Sequence, residues 1–187
     1  LRLLLKDQMD LVDIIIPRSA KITTDFGTET MPAFIEETGF RQVILNLVIN
    51  ARDAIDRTGK IKLSLKKVKK GQLIMKGAVG EKKIAPSEGA ELALSDNGKG
   101  IPPELKENLF DPFITSKPSG SGSGFGLYNT KIFIEDHNGL IGFSTMEGKG
   151  TTFYLFIPLE TDDEDTPSKN VKRAKRATRA FIKTRKK

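Results

Sequence analysis

The chain has 187 residues, 37% hydrophobic and 29% charged, which is enough apolar material for one ordinary core and predicts a single domain with a tail. It holds no cysteine and one histidine, His137, which excludes disulfide frameworks, cysteine–zinc sites and thiol catalysis and leaves little for a Ser–His relay. The segment 160–187, with 10 Lys/Arg against 5 Asp/Glu, carries +5 of the net charge of +7, and a body of only +2 lacks the footprint of a nucleic-acid-binding fold.

Leu1 to Ile16 places apolar residues near helical spacing and stops at Pro17, which predicts a helix and its end. Its first apolar run, Leu3 to Leu5, is interrupted by Lys6 and Asp7, so no signal peptide or membrane span is read and a cytoplasmic setting is expected. Because the chain opens on Leu1 rather than Met, it is expected to be a piece of something longer. Lys21 to Asp25 and Ala33 to Glu36 are expected to be short strands around the turn residues Gly27 and Pro32. Phe40 to Ile55 is the strongest helix, with Phe40, Val43, Ile44, Leu47, Val48, Ala51 and Ile55 on one stripe. Lys60 to Val68 alternates Ile61, Leu63 and Leu65 with lysines, a half-buried strand, and Ala90 to Ser95 is a strand running into a glycine turn. Between them, the lysine- and glycine-rich Lys69 to Glu88 predicts a hairpin with a mobile connection.

A short helix is expected at Pro103 to Asn108, then a loop from Phe110 to Gly124 of the kind that carries function or is disordered. A helix over Phe125 to His137 follows, and Leu140 to Met146 and Thr151 to Ile157 form a hairpin around Gly148 and Gly150. The tail splits into an acidic patch, Glu160 to Asp165, and a basic run, Ser168 to Lys187. A linker is its plainest reading, with nucleic acid or an acidic partner the alternative.

Three places carry chemistry. Gln42, Asn46, Asn50 and Asp53 lie at steps of four, four and three, a polar stripe beside the apolar one on the strongest helix. Asn is costly to bury without partners, so either that face is solvated or the stripe has a purpose, and an Asn carbonyl suits magnesium, which takes oxygen ligands. Asp96-Asn-Gly98-Lys99-Gly100-Ile101 leaves a strand, and its glycines let the backbone turn tightly around either an ordinary loop or a flat ligand. Gly120-Ser-Gly122-Ser-Gly124-Phe125-Gly126 precedes a helix, where open N–H groups and a helix N-terminus attract phosphate, although a flexible linker has the same composition. Neither G-x-G-x-x-G nor the P-loop pattern G-x-x-x-x-G-K-[ST] is present. Lys99 and Lys131 flank these loops and read as solvated, while His137, before Asn138 and Gly139 at a helix end, reads as a capping or packing residue.

In order, the blocks beginning at Phe40, Asp96, Leu109, Gly120 and Gly148 resemble the N, G1, F, G2 and closing motifs of sensor histidine kinase catalytic domains. The resemblance spans roughly residues 40 to 157 and implies the Bergerat ATP-binding fold. That fold is an α/β two-layer sandwich, with a mixed, mostly antiparallel sheet and helices on one face. It implies that residues 1–159 form the ATP-binding domain, with 1–19 a link toward a dimerisation helix. It also implies ATP and Mg2+ as cofactors, with Asn50 the magnesium ligand, Asp96 the partner of the adenine amine, and Gly98, Gly100 and Ile101 the turn on the base side. Phe110, Thr115, Ser116 and Lys117, with Gly122, Gly124, Phe125, Gly126 and Leu127, would form the ATP lid and phosphate contacts, and Thr151 the closing contact. The implied partners are a histidine-bearing dimerisation domain upstream and a response-regulator receiver.

Two positions depart from or refine the pattern. Related hydrolases carry Glu four residues before the magnesium-binding Asn, and Asn46 stands there instead. An amide is no general base at neutral pH, so transfer to a protein nucleophile is expected over hydrolysis. Where many such kinases have Lys or Arg, this chain has Asp53, and the neighbouring Arg52 is the candidate for that charge. A module that binds ATP without transferring phosphate and an ATPase of the gyrase type remain the alternatives.

Overall fold

The computed structural model describes residues 1–17, 19–55, 58–76, 82–115 and 123–160. The chain runs α1 (Arg2–Ile15), β1 (Ala20–Asp25), α2 (Glu37–Ala54), β2 (Gly59–Val68), β3 (Leu73–Lys76), β4 (Lys82–Ile84), β5 (Gly89–Asp96), α3 (Gly126–Asp136), β6 (Leu140–Met146) and β7 (Gly150–Pro158). Five strands make one sheet in the order β1-β2-β5-β7-β6, and β3 and β4 pair separately. β1 lies parallel to β2 while the other pairings in the sheet are antiparallel. The mixed, mostly antiparallel sheet is the one expected.

Alternation decides which face the helices cover. Ile61, Leu63 and Leu65 of β2, Ala90, Leu92 and Leu94 of β5, and Phe153, Leu155 and Ile157 of β7 are all buried in one core cluster. Across from them α2 buries Phe40, Val43, Ile44, Leu47, Val48 and Ala51, the stripe legible in its 3.6-residue period. Ile134 of α3 and Leu5 and Val12 of α1 join the same cluster. Each of the Val, Leu, Ile and Phe side chains among them contributes about 1.5–3 kcal/mol on burial. Gln8 ties α1 to α2 by donating to the Arg41 carbonyl at 2.9 Å, which accounts for a buried amide in an otherwise apolar contact.

The opposite face is covered only in part. The β3–β4 hairpin packs Ile74 and Ala85 onto Val68 and Phe156, a second small cluster. Lys83 reaches from this hairpin to the Ile141 carbonyl at 2.7 Å. Nearby Glu91 is buried, pairs with Lys66 at 2.9 Å through one oxygen, and keeps Oε2 without a described partner. Burial raises its pKa against the pull of Lys66.

Two expected elements are absent or shorter. Ala33 to Glu36 joins no strand: Phe34 points outward at 68% exposure, and Glu36 instead caps α2, accepting from the Thr38 and Gly39 N–H groups. Extended backbone alone does not make a strand without a neighbour to pair with. Pro103 to Asn108 is only a 3-10 turn over Pro103–Leu105, because so short a segment cannot recover the entropy of nucleating an α-helix. The connection 77–81 and the tail beyond Glu160 lie outside the described residues.

Candidate ATP-binding site

α2, the β5 glycine turn, the start of α3 and the β7 start surround a cavity of about 330 Å³, within the usual ~300–1,000 Å³ of small-molecule sites. Its walls include Asn46, Asn50, Asp53, Asp96, Gly100, Ile101, Thr115, Gly124, Gly126, Leu127 and Thr151, so residues far apart in sequence meet here. Apolar side chains close the space between them: Ile49, Leu105, Leu109, Ile114 and Phe153. A flat apolar ring fits such walls, and a polar group is needed only at the ends.

One end is built by the glycine turn. Asp96 Oδ1 accepts from the Gly98 N–H at 2.8 Å and the Thr151 N–H at 3.3 Å, which leaves Oδ2 outside both bonds. Burial pushes the Asp96 pKa up, opposed by those two N–H groups. The turn is fixed from both sides: Lys99 N–H donates to the Ala54 carbonyl at 2.9 Å, and its own carbonyl accepts from Gly148 N–H at 2.8 Å. Gly100, at φ +75, could carry no side chain, since a Cβ would lie 2.5 Å from the Met146 carbonyl oxygen. Gly150, at φ +107, presses its α-carbon side against the Asp96 carbonyl in the same way.

The other end is the start of α3. No side chain caps it, so its first N–H groups remain available where Gly126 and Leu127 line the cavity. Asn46 holds this terminus to α2, donating to the Gly126 carbonyl at 3.4 Å while its own carbonyl accepts from Gln42 at 3.1 Å. The Asn50 side chain makes no hydrogen bond with a described residue, and it faces the cavity between the two ends. One neutral oxygen donor of this kind suits a magnesium ion that takes its remaining ligands from phosphates and water. No cluster of three acidic or histidine side chains among the described residues would hold a metal without them.

Several expected site residues fall elsewhere. Arg52 does not line the cavity, because its guanidinium is drawn onto Asp53 at 2.7 Å. Gly98 packs on the Ala54 carbonyl behind the turn, Phe110 meets Phe143 edge-on at 5.8 Å, and Phe125 stacks between Phe113 and Tyr128. These support the walls. Ser116, Lys117 and Gly122 lie outside the described residues. Lys99 lines the cavity, while Lys131 turns toward Glu135 at 4.0 Å. His137 is structural: Nδ1 meets the Phe133 carbonyl at 2.7 Å, Nε2 accepts from the Glu36 N–H at 3.2 Å, and the ring lies against Phe133. Sequence reasoning named Ile101 and Leu127 of the apolar lining but missed Ile49, Leu105, Ile114 and Phe153, although Ile49 beside Asn50 and Phe153 two residues after Thr151 were signals of it.

Residues 35–161 match the family described as histidine kinase-, DNA gyrase B- and HSP90-like ATPases. The chain belongs to this family. It is 36% identical over 154 residues to the sensory histidine kinase/phosphatase NtrB of Rhizobium meliloti (strain 1021), covering 80% of this chain and 39% of that protein. It is 30% identical over 154 residues to the sensor kinase CckA of Brucella abortus (strain 2308), covering 82% of this chain and 16% of that one. The chain therefore spans well under half of either relative. Among solved structures it is similar to the catalytic domain of histidine kinase ThkA, with a TM-score of 0.67 and 28% identity over 85% of this chain and 92% of that one. The architecture is that of a histidine kinase catalytic domain, and an ATP-binding cavity is what the family places there. No helix among the described residues is long and apolar enough to cross a membrane.

Proposed function

We propose that this chain is the cytoplasmic catalytic domain of a two-component sensor kinase, which holds magnesium-ATP and passes its γ-phosphate to a histidine on a dimerisation domain upstream in the same protein. The observation that carries the reading is one cavity with a carboxylate acceptor, Asp96, at one end and the uncapped α3 N-terminus at the other, with the Asn50 amide between. Asp96 accepts from the adenine amine, the apolar walls hold the ring, and the α3 N–H groups take phosphate oxygens. Asn50 would hold Mg2+, which neutralises phosphate charge. The bond between the γ-phosphorus and the β–γ bridging oxygen breaks as the imidazole nitrogen bonds to phosphorus, and ADP leaves. Such a transfer needs positioning more than acid–base chemistry.

Residues 1–159 are then the catalytic unit, with 1–19 leading toward the dimerisation helix and 160–187 a separate tail. A response-regulator receiver would take the phosphate onward. Lys117, Ser116 and Gly122 would complete the phosphate contacts, and Arg52 contributes only if it leaves Asp53. Asn46 supports transfer over hydrolysis, since an amide committed to Gln42 and Gly126 has no means of activating water.

Incubation with γ-labelled ATP and a histidine-bearing dimerisation domain tests the reading. Label is expected on the added domain, and Asn50→Ala or Asp96→Ala is expected to reduce both binding and transfer at least tenfold. Free phosphate at steady turnover would instead mark an ATPase, and bound but intact ATP a regulatory module. Label on this chain alone would point to His137 and overturn its structural role.

A further inference from the structure

Thr145, on β6, stands behind the cavity wall, yet its hydroxyl meets three polar atoms. Oγ1 accepts from the Ile101 N–H at 3.0 Å, donates to the Gly150 carbonyl at 3.1 Å, and lies 3.0 Å from Thr151 Oγ1. A hydroxyl has one proton and two lone pairs. With its proton on Gly150 and one lone pair taken by Ile101, Thr145 can make the third contact attractive only by accepting the Thr151 O–H. The reverse arrangement would leave two oxygens 3.1 Å apart at Gly150 with no proton between them.

Thr151 does line the cavity, and it is buried. With its proton committed to Thr145, its oxygen meets the cavity through lone pairs alone. Asp96 beside it is likewise an acceptor when ionised, and the Thr151 N–H holds it in place at 3.3 Å. We propose that Thr145 is a specificity-determining positioning residue: by holding the Thr151 hydroxyl proton it keeps the corner between Asp96 and Thr151 all-acceptor. Such a corner takes a purine with a 6-amino group and turns away one with a 6-oxo group, whose oxygen would meet the lone pairs of Asp96 and Thr151. The inference rests on the nucleotide reading above and adds to it the source of base discrimination.

Calorimetric dissociation constants of magnesium-ATP and magnesium-ITP for the full chain test it, on wild type, Thr145→Val and Thr145→Ser, each confirmed folded by thermal melting. Wild type and Thr145→Ser are expected to share a preference for ATP. In Thr145→Val the Thr151 O–H can rotate into the cavity and donate to a 6-oxo oxygen, so the ATP/ITP preference should fall by about fivefold or more, the worth of one neutral hydrogen bond. Thr145→Ala gives the same readout should the Val form not fold. An unchanged ratio, even with a uniform loss of affinity, overturns the proposal, as does failure of Thr145→Ser to preserve it. If wild type binds neither nucleotide, the nucleotide reading itself fails, and the inference with it.

Discussion

Asp96, the proposed partner of the adenine amine, is buried at the expense of folding. Its pKa in the folded chain is raised by burial, so ionisation works against folding. Its contribution is most favourable below the unfolded pKa, declines as pH rises toward the folded one, and remains a penalty at neutral pH. Asp96→Asn is therefore expected to raise the neutral-pH melting temperature and flatten the pH dependence in that acid window, while nucleotide affinity falls at least tenfold. Melting curves over pH with parallel calorimetry check both. Asn50 and Asp96 were legible as candidates in the sequence because one lies on a polar stripe beside the apolar stripe of a helix and the other where an apolar strand runs into a glycine turn. Thr145 was not, because an ordinary strand threonine acquires its role only when Ile101, Gly150 and Thr151 converge on it.

At the level of elements, periodicity reached α2, β2, β5 and the β6–β7 pair with ends shifted by only a few residues. It failed where pairing or capping decides. Ala33 to Glu36 reads as a strand from its place after the turn residues Gly27 and Pro32, but the Glu36 carboxylate accepts from Thr38 N–H at 2.7 Å and Gly39 N–H at 2.6 Å. Those bonds and the approach of His137 hold its pKa down. Glu36→Ala removes the cap and is expected to cost ~1 kcal/mol in urea denaturation, within the usual range for lost N-caps. Nucleotide affinity should change little, since the cap lies at the opposite end of α2 from Asn50. The same measurement at pH below the Glu36 pKa should shrink the difference, because a protonated carboxyl accepts less strongly.

For the molecule as a whole, charge placed the basicity in the tail and the family motifs placed the cavity, but neither could show which motif residues support the walls and which face the ligand. Phe110, Phe125 and Gly98 belong to the first group, and that sorting needs packing information no spacing contains. The division of charge gives its own test. Removing 169–187 should leave magnesium-ATP affinity unchanged, while any retention on DNA or anionic vesicles disappears and, in the intact chain, falls steeply with salt.

The contact between Phe113 and Gly124 reaches further than the cavity wall it belongs to. Gly124 lies so close to the Phe113 backbone that a Cβ would sit 2.5 Å from its carbonyl carbon, and Phe113 meets Phe125 at 4.7 Å. Residues 113 and 124, eleven positions apart in sequence, thus lie side by side. For the loop that the sequence predicts between them, each doubling of length would add only ~0.6 kcal/mol of closure cost. Gly–Ser insertions within 116–122 should lower the melting temperature little while changing phosphate affinity substantially, which makes this segment a place where nucleotide handling can be altered without rebuilding the domain.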